Sequence, residues 1–106
     1  MRQLAAPALK AWLSRQPQPV TLLDVRETWE YSLCRLDGSL HIPMGQLGAR
    51  LEELDPDRPT VVICHHGVRS LHAGAFLERH GFPDVVNLQG GIDGWARAVD
   101  PAMALY

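Results

Sequence analysis

The chain has only two cysteines, Cys34 and Cys64, among 106 residues. Two cysteines cannot make a disulfide framework, and a chain of this length can bury one core without such staples. No Cys-x-x-Cys pair is present, which argues against a thioredoxin-like dithiol. No stretch approaches the roughly 18 apolar residues of a membrane helix, so no membrane partner is expected. Neither charge sign dominates: 12 acidic against 10 basic residues leave a formal charge of −2. That balance gives no reason to expect nucleic acid or an anionic lipid surface. The opening "MRQLAAPALKAWLSRQPQPV" superficially resembles a targeting peptide. Lys10 interrupts its apolar run and a proline-rich stretch follows, so it reads as a helix and its exit. A reducing cytoplasm is the expected setting, and it suits a free thiol.

What is present alternates between two periods. Pro7 suits a first helical turn, and Leu9, Trp12 and Leu13 recur at helical spacing. "QPQP" ends that helix, because proline disfavours helical geometry in the residue before it. "VTLLDV" reads as a short buried strand, "RETWEYS" as a brief helix, and "LDGSLHIP" as a turn with a short extended piece. Leu47, Leu51 and Leu54 make a second apolar stripe, ended by "DPDRP". "TVVIC" is continuous and β-branched, the pattern of a strand covered on both faces. From Ser70 to His80 the period becomes helical, and Gly81 is placed to stop it. "DVVNLQGG" is a last strand with a glycine exit, and "IDGWARAV" a short helix anchored by Ile92 and Trp95. Strands alternating with helices predict an α/β layered domain with a mainly parallel sheet. No repeat or internal boundary divides residues 1–106.

The stretch "VVICHHGVRS" places a cysteine where a buried strand gives way to a loop and then a helix. In parallel α/β domains ligands bind beyond the carboxyl ends of strands. The first turn of the following helix has N–H groups without intrahelical partners, and these donors and the helix dipole favour a thiolate or a bound anion. The loop from His65 to Val68 is short enough to curl into a nest of inward amides, with Gly67 free to take positive φ. Arg69 either reaches the ligand or holds the loop through carbonyls or a carboxylate. His65 and His66 are donors in either protonation state. Buried cysteine alone is more often a packing residue than a nucleophile. The addition of Gly67, Arg69, Ser70 and an immediately following helix favours a reactive thiol in an anion-binding loop. Zinc is disfavoured, because adjacent ligands rarely aim at one centre and no second Cys/His cluster stands at a usual interval. No cofactor is expected.

Together these segments resemble the rhodanese superfamily, most strongly over residues 22–95. "LLDVRETWEY" is similar to the family's opening strand and acidic-basic segment, and "DGSLHIP" to its glycine and isoleucine-proline element. "VVICHHGVRSLHAGAFLERHGF" resembles its active-site strand, loop and helix, and "VVNLQGGIDGW" its closing strand, double glycine and tryptophan. The final "GGIDGWARAVDPAMALY" also resembles the end of rhodanese domains fused to sulfur-carrier activating enzymes. The chain departs from the family in "CRLDGS", where Cys34, Arg35 and Leu36 replace a common Gly-His-Ile and Ser39 replaces alanine.

The resemblance implies one three-layer domain, a sheet of about five mainly parallel strands with helices on both faces. It implies that Cys64 becomes a persulfide within a cradle formed by His65, His66, Gly67, Val68 and Arg69. Asp24 and Arg26, with Ser70, match supporting positions. Cys34 is expected to be a packing residue, with a resolving thiol as the lesser reading. The expected partners are a small anionic sulfur donor such as thiosulfate, a thiol or cyanide acceptor, and a sulfur-relay protein. The spacing Cys64-x4-Arg69 is one residue shorter than the C-x5-R of cysteine phosphatases, which predicts sulfur transfer over phosphate or arsenate chemistry. A binding or sulfur-carrier module is the non-enzymatic rival. Arg69→Ala is expected to weaken anionic donors more than neutral persulfides, equal losses pointing instead to a scaffolding role.

Overall fold

The computed structural model describes residues 1–106. Five strands, β1 (Arg2–Ala5), β2 (Thr21–Asp24), β3 (Leu40–His41), β4 (Thr60–Ile63) and β5 (Val85–Gln89), form one sheet in the order β1-β5-β4-β2-β3. All four pairings are parallel. Parallel neighbours need crossovers, and here these are α1 (Ala6–Ser14), α2 (Thr28–Leu33) and α3 (Val68–Arg79), with two 3-10 turns over Met44–Gln46 and Gly48–Glu53. A closing helix, α4 (Gly91–Ala98), follows β5.

Strand alternation divides the core in two. Leu23, Val62, Cys64 and Val85 face one way and pack with Ala73 and Leu77 of α3 and with Leu47 and Leu54. Val61, Ile63, Val86 and Leu88 face the other way, against Leu9 and Trp12 of α1 and Ile92 of α4. Val61, Val62 and Ile63 are fully buried, as a strand covered on both faces requires. Each such side chain is worth about 1.5–3 kcal/mol of burial.

Two elements differ from the sequence reading. The N-terminal residues before the helix form an edge strand, β1, instead of extending the helix. Its side chains are mostly exposed, so it has no apolar periodicity to announce it. It is held through backbone pairing with β5, where Gln3 lies opposite Asn87. The Leu47–Leu54 stripe folds as 3-10 turns, with a non-helical kink at Arg50. Both Leu47 and Leu54 still reach the core.

The strand order places the site. The chain leaves β2 outward to β3, returns to β4, and leaves β4 in the opposite direction to β5. The carboxyl ends of β2 and β4 therefore flank the topological switch point, where open α/β sheets hold ligands. Cys64 follows β4 there, and Asp24 ends β2.

Candidate functional site

Residues 64–67 turn directly from β4 into α3, and Gly67 makes the turn with φ +98°. A Cβ at Gly67 would stand 3.1 Å from both the Gly90 nitrogen and the Leu88 carbonyl oxygen, so the loop also needs its missing side chain. The turn brings two backbone donors onto Cys64 Sγ: Gly67 N–H at 3.1 Å and Ser70 N–H at 3.3 Å. The Ser70 hydroxyl lies 3.2 Å from the same sulfur. The two amide donors favour negative charge on sulfur. Cys64 is 1% exposed, while His66 and Val68 stand exposed beside it in the loop.

The loop's carbonyls are held from behind by α4. Ile92 N–H donates to Cys64 O at 2.8 Å, and Asp93 N–H to His65 O at 3.1 Å. This contact explains the double glycine. Gly91 takes φ +64°, and a Cβ there would collide with the carbonyls of His65 and Cys64.

Beside this uncharged cradle lies a paired charge network. Asp24 and Arg26 form a fully buried ion pair, Nη2 to Oδ2 at 2.8 Å, with Nε also donating to the carboxylate. Burial opposes the charge on Arg26, but the hydrogen bonds to Asp24 and Tyr106 outweigh it and hold the guanidinium charged. Arg26 also donates to the Cys34 carbonyl at 2.6 Å, so the departure at residues 34–36 is tied in through backbone.

Arg69 directs its guanidinium to Glu30, in a two-bond fork of 2.7 and 2.8 Å. Of the uses open to Arg69 in the sequence, the structure shows the carboxylate clamp. Glu30 also accepts from the Tyr106 hydroxyl at 2.6 Å and from Glu27 N–H at 3.1 Å. Arg69 above all, then Tyr106 and the Glu27 amide, hold the Glu30 carboxyl down to about 2 against the opposing effect of burial. Burial and Glu30 push the Tyr106 phenol up to about 12, which keeps it a neutral donor. The Tyr106 hydroxyl in turn accepts from Arg26 Nη1 at 3.0 Å.

His65 and His66 face each other, ring centroids 3.9 Å apart, and Tyr106 stacks on the other side of His65 at 3.8 Å with a 9° interplanar angle. Burial and the neighbouring His66 lower the His65 pKa, and its buried Nε2 has no partner. Trp29, 62% exposed, meets Tyr106 edge-on. No cluster of three or more His, Cys, Asp or Glu side chains is arranged to hold a metal. Cys34 packs against the α1/α4 core while Cys64 belongs to the opposite face of the sheet, which separates the two thiols.

Three residues of this region escaped the sequence reading. Asn87 had a usable signal: one polar residue inside the buried run "VVNL", on the same strand face as Val85. Glu30 had a weaker one in its place three residues after Glu27. Tyr106 had none, since its position depends on how the last residues cross the sheet end.

Comparison with known proteins identifies the family. The family profile of the rhodanese-like domain matches residues 5–98. The thiosulfate sulfurtransferase GlpE of Glaesserella parasuis is 35% identical over 92 residues, covering 87% of this chain and 85% of that protein. The probable adenylyltransferase/sulfurtransferase MoeZ of Mycobacterium tuberculosis is 39% identical over 100 residues, and the chain spans 25% of its length. The crystal structure of a rhodanese-related protein from Thermoplasma volcanium superposes with a TM-score of 0.82 at 32% identity, over 93% of this chain and 94% of that one. The chain belongs to the rhodanese family.

Proposed function

We propose that this protein is a sulfurtransferase that moves sulfane sulfur from thiosulfate or a persulfide donor to a thiol or cyanide acceptor, through a persulfide on Cys64. The observation that carries the reading is the pair of backbone N–H donors on Cys64 Sγ at the sheet's switch point. In the first half-reaction the Cys64 thiolate attacks the outer sulfur of thiosulfate. A new S–S bond forms, the bond to the sulfonate sulfur breaks, and the electron pair leaves with sulfite. In the second, an acceptor nucleophile attacks the terminal sulfur and the Cys64 thiolate departs. Displacement by sulfur that is already ionised abstracts no proton, so neither displacement needs a histidine base. His65 and His66, with Gly67 and Val68, shape and polarise the cradle for the donor. Arg69 contributes through its clamp on Glu30, and Asp24, Arg26 and Ser70 support the two strand ends.

The short Cys64-x4-Arg69 loop favours sulfur over phosphate or arsenate chemistry. Side-by-side assays of thiosulfate:cyanide transfer and phosphate-ester hydrolysis on purified protein test this: sulfur transfer alone is expected, and hydrolysis alone overturns it. One observation favours a second reading, a relay carrier that receives sulfur from a protein. Cys64 is almost wholly buried, and the two surface hollows, about 390 and 380 Å³, are lined by none of the residues 64–70. Faster discharge of a desulfurase persulfide than of thiosulfate would identify that role. We place the protein in the cytoplasm, where a reduced thiol is maintained; no helix is long and apolar enough to cross a membrane.

A further inference from the structure

The hydrogen inventory around Cys64 assigns a role to Asn87. This residue is 1% exposed and projects from β5 onto the face that carries Cys64. Its Nδ2 donates to Gly67 O at 3.1 Å and to Gln3 Oε1 at 3.2 Å. A backbone carbonyl only accepts, so the contact with Gly67 fixes which end of the carboxamide is nitrogen. The other end, Oδ1, therefore faces Ser70 Oγ at 2.5 Å and can only accept. Ser70 has one hydroxyl hydrogen, and this bond uses it.

The consequence falls on the sulfur. With its hydrogen on Asn87, Ser70 presents a lone pair to Cys64 Sγ at 3.2 Å. A thiol can donate S–H to that lone pair, whereas a thiolate is repelled by it. The two amides on Sγ act in the opposite sense, favouring the thiolate. We propose that Asn87 is a positioning residue which, by holding the Ser70 hydroxyl hydrogen, keeps resting Cys64 as a thiol donating to Ser70 Oγ. Turning that hydroxyl from Asn87 onto sulfur then favours the ionised, attacking form, the thiol proton being released to bulk water. Gln3 of β1 steadies the carboxamide and so ties the edge strand to the nucleophile. The inference rests on Cys64 being the sulfur-carrying residue.

The test reads the pH profile of Cys64 alkylation by iodoacetamide, followed by mass spectrometry of the Cys64 peptide so that Cys34 does not contribute. This readout needs no sulfur transfer. Its failure is therefore distinct from failure of the sulfurtransferase reading, which shows as absence of a thiosulfate-derived sulfur adduct. Around the thiol stand Arg69 from α3, bound to Glu30 from α2, and His65 and His66 in the loop; all are retained in every variant. Ser70→Ala removes the lone pair and leaves the Asn87–Gly67 clamp, so the alkylation midpoint is expected to move to lower pH by about half a unit. Asn87→Leu frees the Ser70 hydroxyl to donate to sulfur, and a larger shift in the same direction is expected, of about one unit. In the double variant the shift should fall back to that of Ser70→Ala.

A rise of the midpoint in Ser70→Ala would show the hydroxyl donating to a resting thiolate and would overturn the proposal. So would an upward shift in Asn87→Leu, or its full downward shift persisting without Ser70. If Asn87→Leu does not fold, two other measurements decide the matter. These are the Ser70→Ala profile and the infrared S–H stretch of Cys64 at neutral pH, recorded in Cys34→Ser protein. A hydrogen-bonded S–H band supports the proposal, and its absence contradicts it.

Discussion

Two neighbouring regions at the same end of the sheet handle charge in opposite ways. The cradle around Cys64 meets the sulfur with uncharged groups: two amides and one hydroxyl. Beside it, Asp24, Arg26, Glu30, Arg69 and Tyr106 form a network whose ionised members are paired with one another. Fixed dipoles suit a sulfur that, in the proposed reaction, alternates among thiol, thiolate and persulfide. The two amides stabilise charge on it, and the Ser70 oxygen accepts from its S–H, without pairing permanently as an arginine does. Full charges suit a scaffold, because in a dry setting each one strongly fixes its partner. Under the proposed function, the comparison separates the residues that meet the reacting sulfur from those that hold loop, α2 and C-terminal segment together.

Several variants sharpen or break this division. Cys64→Ser should reduce thiosulfate:cyanide turnover by at least about 10³-fold, as loss of a nucleophile does, with an unchanged urea midpoint. Substantial remaining turnover would move the chemistry elsewhere. Gly91→Ala should cost about 3 kcal/mol in urea denaturation, since it forces a Cβ onto the loop carbonyls at positive φ. A neutral result would mean the loop does not lean on α4.

On the network side, Glu30→Gln leaves Arg69 without its carboxylate partner. It should lower stability by about 2 kcal/mol, less than a fully buried pair because the Arg69 side chain is 38% exposed. Acid should have a related effect. The folded Glu30 carboxyl titrates near 2 and the unfolded one near its ordinary value of 4.5. Its contribution is therefore complete above pH 4.5 and is lost as the pH falls from 4.5 towards 2. Urea midpoints measured through that range should fall less steeply in Glu30→Gln than in the parent.

The smallest expected effect is a ratio. With its guanidinium on Glu30, Arg69 acts through the scaffold. Arg69→Ala should then slow thiosulfate and a neutral persulfide donor by similar factors. A selective loss of thiosulfate would put Arg69 on the donor and blur the two regions.

Much of this was legible in the sequence. The continuous β-branched run before Cys64, the helix after it and the glycine between them specify a strand–loop–helix turn, and local chemistry is enough to read one. The edge strand Arg2–Ala5 was not legible, because its place is set by backbone pairing to β5 and its side chains are largely solvent-facing. The Arg69–Glu30 clamp joins residues 39 positions apart, and the Tyr106–Glu30 bond spans 76. Neither spacing follows a local period. Asn87 is the intermediate case: strand parity shows that it points inward, but only the fold shows that Ser70 and Gly67 wait there.

The most direct measurement is the intact mass of the protein after thiosulfate treatment, with Cys64→Ser alongside. One added sulfur on the parent protein, discharged by cyanide and absent from the variant, is the predicted result. An unmodified parent protein, or an equal adduct on the variant, would contradict a persulfide carried by Cys64.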